Sequence, residues 1–485
     1  VIAVSMLRNP HHLLSLYHRA QRKHMNPHCH AIIACLALAC LPLTAAAHNT
    51  GDAHHWEIAS ADPDRIFLTF IGDPATSRAV TWRTDTSVTQ AYAEIAIATP
   101  GPAFANTAKR YEAATEPLTL DDNSKPVNQT THFHSVVFED LRPNTLYAYR
   151  VGSGKRWSEW IQFRTASDKP EPFRFLYFGD AQNEVHSKWS RVIRMAHRTA
   201  PDAAFAIHAG DLVDKAHADH EWAEWMKAGG HLHAETTGVP VVGNHEYQDL
   251  TREGVNKGRQ LAIHWRPQFT LPVEESLPEH LHETVYTIAY QGVQVIVLDS
   301  ANNLEQQTAY LESKLGQGDY RWRVVTFHHP VFAPSRGLKK SSTRDAWKEV
   351  LEEMGADLVL QGHDHTYARG HTPRRSADGG QTDGLGAVYV TSVSGPKMYK
   401  IDQEGLAKFQ ELDGLVTAKT AGENSTLQFV TTQGIESITG TFDWTEYEIS
   451  LEDVDSETSS IFVFLLYLEE TTGEVYFDDV RLTVD

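Results

Sequence analysis

Five short clusters of chemistry-bearing residues recur along the middle of the chain, each directly behind an apolar run. They are Gly179-Asp180-Ala181-Gln182, Gly210-Asp211-Leu212-Val213-Asp214, Gly243-Asn244-His245-Glu246, His328-His329-Pro330 and Gly362-His363-Asp364-His365. The runs ahead of them are Phe173 to Phe178, Ala203 to His208, Val239 to Val242, Arg323 to Phe327 and Leu358 to Leu360. Several are continuously apolar, as strands buried on both faces must be. Helix-period segments lie between them, at Lys188 to Arg198, Glu221 to Lys227, Gln306 to Leu315 and Thr343 to Glu353, with further strands at Val293 to Leu298 and Ala387 to Val393. This alternation predicts a layered α/β domain over residues 171–430. In such sheets the carboxyl ends of the strands line the ligand crevice. One edge of the fold therefore collects two Asp, one Asn and at least four His.

Oxygen and imidazole donors suit Zn, Fe, Mn or Ni, and no thiolate competes for the ion. A carboxylate shared between two ions, with unshared ligands on either side, suits a dinuclear site. Two ions roughly 3.5–4 Å apart clamp the attacking and leaving oxygens of a phosphoryl displacement. Taken singly, Asp180 and Asp211 also read as helix caps and His245 as a core histidine. The five motifs in order, each closing a strand, outweigh those readings.

In this pattern the chain resembles the calcineurin-like metallophosphoesterases, most closely their purple acid phosphatase branch, over roughly residues 57–430. The resemblance implies two divalent or trivalent metal ions, Fe, Zn or Mn. It implies that Asp211 bridges them, that Asp180 and His365 hold the first, and that Asn244, His328 and His363 hold the second. The catalytic residues it implies are Asp211, through the bridge, and His245, which is not a ligand. His245 would contact the phosphate and assist the leaving group as general acid or charge stabiliser. The implied nucleophile is a metal-bound hydroxide attacking in line. His329, Asp364, Glu246 and Tyr247 read as supports of the site, and Tyr367 and Arg369 as candidates for its lining.

The chain departs from the family pattern in three places. Purple enzymes owe their colour to a Tyr three residues after the bridging Asp, where this chain has Asp214. Other members place His two residues after the first Asp, where this chain has Gln182. Gln182, Asp214 or a water fills the vacant ligand position, and no tyrosinate-to-iron absorption is expected. The substrate-facing His that plant and animal enzymes carry after the fourth motif is missing between Val331 and Arg344. Arg336, Lys339 and Lys340 are candidates to hold phosphate there, against the reading of solvated loop charge. Among His217, His220, His231 and His233, one is expected to reach the site mouth. The low-periodicity segments Pro267 to His282, Ser335 to Ser342 and Arg374 to Gly386 read as loops near that mouth.

Ahead of the Pro-rich linker Lys169-Pro170-Glu171-Pro172, residues 57–167 show only short alternating runs: Ile66 to Phe70, Ala79 to Trp82, Ala91 to Ile97, His134 to Phe138 and Leu146 to Val151. They predict a β-sandwich, and the stretch from Leu141 to Val151 is similar to the corner and penultimate strand of a fibronectin type III fold, with a Tyr bonding back across the corner. Residues 431–485 read as a short all-β acidic tail, with 14 acidic residues against the single base Arg481. Its close, Gly473 to Val480, is similar to the last strand of carbohydrate-binding jelly rolls, which leaves a weak carbohydrate contact open.

Residues 1–47 read as a signal peptide with an upstream extension, started at Met6 or Met25. Arg19, Arg22 and Lys23 precede the apolar run Ala31 to Leu43, which is too short to span a bilayer, and Ala45-Ala46-Ala47 is an A-x-A cleavage pattern. Lipidation at Cys35 is the weaker reading. All three cysteines, Cys29, Cys35 and Cys40, leave with this segment, so the mature chain is expected to be thiol-free, exported and without a transmembrane segment. The formal charge of −20 argues against gripping nucleic-acid backbones, though not against a small phosphorylated substrate. The leading expectation is an exported binuclear phosphoesterase for monoesters or diesters. The alternatives are a nucleotide-specific phosphodiesterase or nucleotidase, or a surface-binding protein with a degenerate phosphoesterase domain.

Overall fold

The computed structural model describes residues 54–120, 124, 129–336, 341–375 and 381–402, the backbone alone at 373–375 and 381–385. The expected export segment, the cysteines, Lys339, Lys340 and the acidic tail lie outside the described residues.

The front module is a two-sheet sandwich. Strands Asp64–Thr69, Arg78–Asp85, Thr130–Phe138 and Ala114–Thr119 pair antiparallel in one sheet. Lys109–Glu112, Tyr92–Ile97, Leu146–Ser153, Arg156–Trp157 and Ile161–Arg164 form the other. Period-two alternation sends Leu68, Val80, Trp82, Val136 and Phe138 inward from the first sheet, against Ala93, Ile95, Tyr149, Val151 and Phe163 from the second. At the corner, the Arg142 backbone N–H donates to the Tyr147 hydroxyl at 2.8 Å.

The α/β part has two sheets. Val293–Val297, Trp322–Thr326, Leu358–Gln361 and Gln381–Thr391 run parallel, flanked by antiparallel Tyr286–Tyr290 and Ala368–Arg375. Arg174–Phe178, Ala203–Ala209 and Thr237–Val241 run parallel in the other sheet. That sheet does not stop at the module boundary: Thr237–Val241 pairs in parallel with Asp64–Thr69 of the sandwich, Thr69 opposite Gly238. Seven strands thus form one sheet across both modules.

Of the expected mouth loops, one is a hairpin and another is a loop packed against the core. The span Arg374 to Gly386 belongs largely to the hairpin of Ala368–Arg375 and Gln381–Thr391. Pro267 to His282 carries the buried Phe269, Leu271, Leu277 and Leu281 into the core, because its apolar residues are too many to leave in water.

The helix Asp219–Gly229 joins the modules. Asp219 and Glu221 sit in its first turn and Lys227 in its last, complementing the helix dipole. Gly230, at φ 53°, ends it in a conformation that side chains resist. Trp222 and Trp225, three apart and so on one face, are fully buried; the Trp225 ring lies 5.6 Å from Phe67 of the sandwich and the Trp222 ring 6.2 Å from Phe269. The Asp219 carboxylate accepts two 2.9 Å hydrogen bonds from Arg65, also buried, and lies 3.6 Å from Arg83 and 3.2 Å from His264.

Candidate metal centre and active site

The five motifs meet at one edge of the two sheets. The ligand atoms of Asp211, His328 and His363 all lie within 4.8 Å of one another, as do those of Asp180, Asp211 and His365. Asp211 belongs to both groups. Asp180, Asp211, His328 and His365 are buried and His363 is half-buried.

The motif glycines let the loops close in on these side chains. A Cβ on Gly243 would collide with the Asp211 carboxylate, and one on Gly362 with that of Asp180. Gly210, at φ +85°, would place a Cβ 2.5 Å from the His328 ring. Asp180, Asp211, His363 and His365 themselves adopt positive φ, at 47°, 52°, 69° and 43°. For residues other than glycine this left-handed region is disfavoured, and strain of this kind gathers at functional sites.

The residues behind the ligands fix their orientation. The backbone N–H of His363 donates to both Asp180 oxygens, at 3.0 and 2.7 Å. The His328 Nδ1–H faces the Ala209 carbonyl at 2.9 Å, and the His365 Nδ1–H the Lys397 carbonyl at 2.8 Å. Each ring thereby keeps Nε2 free for the site. The buried Glu246 accepts from the N–H groups of Asp211, Leu212 and Gly243 at 2.9, 2.8 and 2.6 Å, pinning two motif loops together. His329 is held by Ser300, its Nδ1 2.9 Å from Oγ, with its ring 4.3 Å from that of His363. Asp364 accepts from Ser335 N–H and Oγ–H and lies 3.3 Å from Arg336 Nε, so it fastens the neighbouring loop.

The donor set fits a pair of cations. Asn244 Oδ1 and Gln182 Oε1 are buried without a hydrogen-bond partner, a costly arrangement unless something else satisfies them. Burial, with the repulsion of Asp211 added, pushes the Asp180 carboxyl well above the ordinary carboxylate range against the pull of His328. Burial opposes charge on Asp211 too, but His328 and His245 hold its carboxyl low. His328 answers in kind: burial lowers it, Asp211 overrides, and it rises to about 10. Cations among these groups would replace the imidazolium as the charge partner.

His245 stands beside the ligand groups. Its Nδ1 lies 2.6 Å from the Asp214 carbonyl and its Nε2 4.0 Å from Asp211 Oδ2, with a little over a quarter of the side chain exposed. Its backbone N–H donates to Asp211 Oδ1 at 2.9 Å.

Other expected residues lie elsewhere. Asp214 Oδ1 turns toward His245 Nδ1, 3.6 Å away. His233 is buried among Trp225, Trp189, Phe67 and His208, and His217 is buried as well. The His233 ring fills core space. Tyr367 is half-buried and Arg369 exposed. Arg259 went unnoticed in the sequence: from the hairpin Tyr247–Arg252 and Val255–Leu261 it donates to the Asn244 carbonyl at 3.0 Å. The Glu253-Gly254 turn, both residues at positive φ, was the available signal for that hairpin.

Two family models match the chain, one described as the N-terminal domain of purple acid phosphatase over residues 63–165 and one as calcineurin-like phosphoesterase over residues 173–367. Probable purple acid phosphatase 20 of Arabidopsis thaliana is 25% identical over 349 residues, 67% of this chain and 76% of the relative. Purple acid phosphatase 23 of the same plant is 24% identical over 306 residues, 56% of this chain and 63% of its own length. Human acid phosphatase type 7 is 22% identical over 350 residues, covering 64% of this chain and 71% of its own. A purple acid phosphatase isolated from yellow lupin seeds shares the fold, with a TM-score of 0.59 at 15% identity over 71% of this chain and 67% of that one.

Proposed function

Because the chain belongs to the calcineurin-like phosphoesterases of the purple acid phosphatase type, and so among metal-dependent phosphoric ester hydrolases, we propose that it hydrolyses small phosphomonoesters or phosphodiesters at the cluster around Asp211. The single observation that carries this reading is the sharing of Asp211 between two ligand groups. On this reading Asp180 and His365, with Gln182 beside them, would hold one ion, and Asn244, His328 and His363 the other. When bound, two such ions supply Lewis-acid polarisation of the phosphoryl group and activation of water near neutral pH.

The chain's own residues supply the rest. The Asp214 carbonyl accepts the Nδ1–H of His245, so Nε2 is the atom that faces substrate and hands a proton to the leaving oxygen or stabilises its charge. The backbone N–H of His245 meanwhile holds Asp211 Oδ1, tying the proton donor to the shared carboxylate. Arg259 and Arg336 add positive charge on the His329 side, consistent with an anionic substrate.

The finer parts of the reading rest on the sequence. The front module is taken as fibronectin type III-like, which its Tyr147 corner supports. Export is taken from residues 1–47. No helix among the described residues is long and apolar enough to cross a membrane.

Purified protein should bind two transition-metal ions and hydrolyse a chromogenic phosphate ester, with monoester, diester and nucleotide substrates compared across added Mn, Zn, Fe and Mg. Metal-free, inactive protein would leave the surface-binding alternative standing. Asp211→Asn should lose activity and most of the metal while its circular dichroism is unchanged; full activity would show the shared ligand misassigned.

A further inference from the structure

The ligand position that the family fills with Tyr or His has two claimants in this chain, and the structure separates them. Asp214 turns its carboxylate to His245, and its backbone N–H donates to Glu221 Oε2 at 2.7 Å. It takes no part in the group of Asp180, Asp211 and His365.

Gln182 lies inside that group. It is fully buried, and its backbone N–H donates to the Asp211 carbonyl at 3.1 Å. The end of its carboxamide reaches two ligands of the same position: Nε2 lies 2.8 Å from Asp211 Oδ2 and 3.3 Å from His365 Nε2. The other end, Oε1, is buried with no partner. Facing only a carboxylate and an imidazole lone pair, the amide presents its NH₂ group, which can donate to both. A cation shared by Asp180, Asp211 and His365 reverses that demand. A half-turn of the amide exchanges O for N at the same place, and which way a carboxamide faces is set by its partners.

We propose that Gln182 is a metal ligand on the Asp180 side, coordinating through Oε1. The inference rests on the two-ion reading of the site and goes beyond it. That position then has three oxygen donors, from Asp180, Asp211 and Gln182, and one nitrogen, from His365. The other has two oxygens, from Asp211 and Asn244, and two imidazoles. The amide is neutral where a tyrosinate would bring a charge. Hard divalent ions such as Mn²⁺ are therefore favoured on the Asp180 side, ferric iron is not, and imidazole-seeking ions such as Zn²⁺ are favoured on the other. The two positions should differ in affinity.

Mn²⁺ titration of the metal-stripped full chain, read by electron paramagnetic resonance and equilibrium dialysis, tests this. The unmodified protein should bind two ions. Gln182→Leu should weaken one of the two by about tenfold or more and leave the other unchanged. Gln182→Glu separates coordination from hydrogen bonding, because a carboxylate can ligate an ion but cannot donate to Asp211; it should restore or tighten the weakened position. The inference is overturned if Gln182→Leu keeps both affinities, or if Gln182→Glu loses the ion as Gln182→Leu does. An unmodified protein that binds fewer than two ions overturns the two-ion reading itself.

Discussion

His245 keeps one ring nitrogen for the site because the Asp214 carbonyl holds the other, and no atom of its ring is needed to build the ligand groups. His245→Ala should therefore lower kcat by about 10²–10⁴ while both ions remain bound, as metal analysis of the purified variant will show. Loss of metal with the activity would mean that the side chain supports the centre instead. The sequence made the five carboxylate and imidazole donors that the structure groups legible because each motif follows a strand end, and strand ends converge. It did not reveal Arg259, which reaches Asn244 from an exposed hairpin with no apolar pattern. It also left Gln182 and Asp214 equal, since spacing along a loop does not fix the direction of a side chain.

At the scale of elements, the helix Asp219–Gly229 is held by charge as well as by its tryptophans. Asp219 accepts from Arg65 and lies close to Arg83, all three buried. Removing one member of a buried ion pair strands the others without water. Asp219→Ala should destabilise the fold by about 3–5 kcal/mol in urea unfolding, whereas a cost below 1 kcal/mol would mean that water enters the site. Trp225→Ala, which empties part of the core between the modules, should cost a similar amount, about 3–5 kcal/mol. Apolar runs announced the central strands well. The edge strands Lys109–Glu112 and Ala114–Thr119 went unread, since they are almost wholly exposed and the second contains Pro117.

For the whole molecule, the sequence implied a linker between two domains, and the structure gives one sheet running through both. Periodicity reports what each strand buries, not which strand it pairs with across a gap of more than 150 residues, as Thr69 and Gly238 do. A chain beginning at residue 173 should accordingly be insoluble: it would expose the edge of Thr237–Val241 and lose Phe67 and Phe70 from the core. Acid sensitivity is also global. Burial lowers His134 to about 4 and His208 to about 3, from 6.5. Their folded values lie below the unfolded one, so the stability they contribute is complete above about pH 6.5 and is lost as pH falls toward those values. At pH 5 a fully buried neutral histidine costs about 2 kcal/mol. His208→Phe, in a pocket already shared with Phe178 and Trp189, should shrink the fall in melting temperature between pH 7 and pH 5. An unchanged fall would place the acid limb elsewhere.

Asp180, Asp211, His363 and His365 hold backbone conformations that glycine would adopt without penalty. Each costs about 1–2 kcal/mol in a residue with a side chain. Glycine at any of the four would relieve that strain and remove a donor, so at these positions backbone stability and the chemistry of the site pull apart.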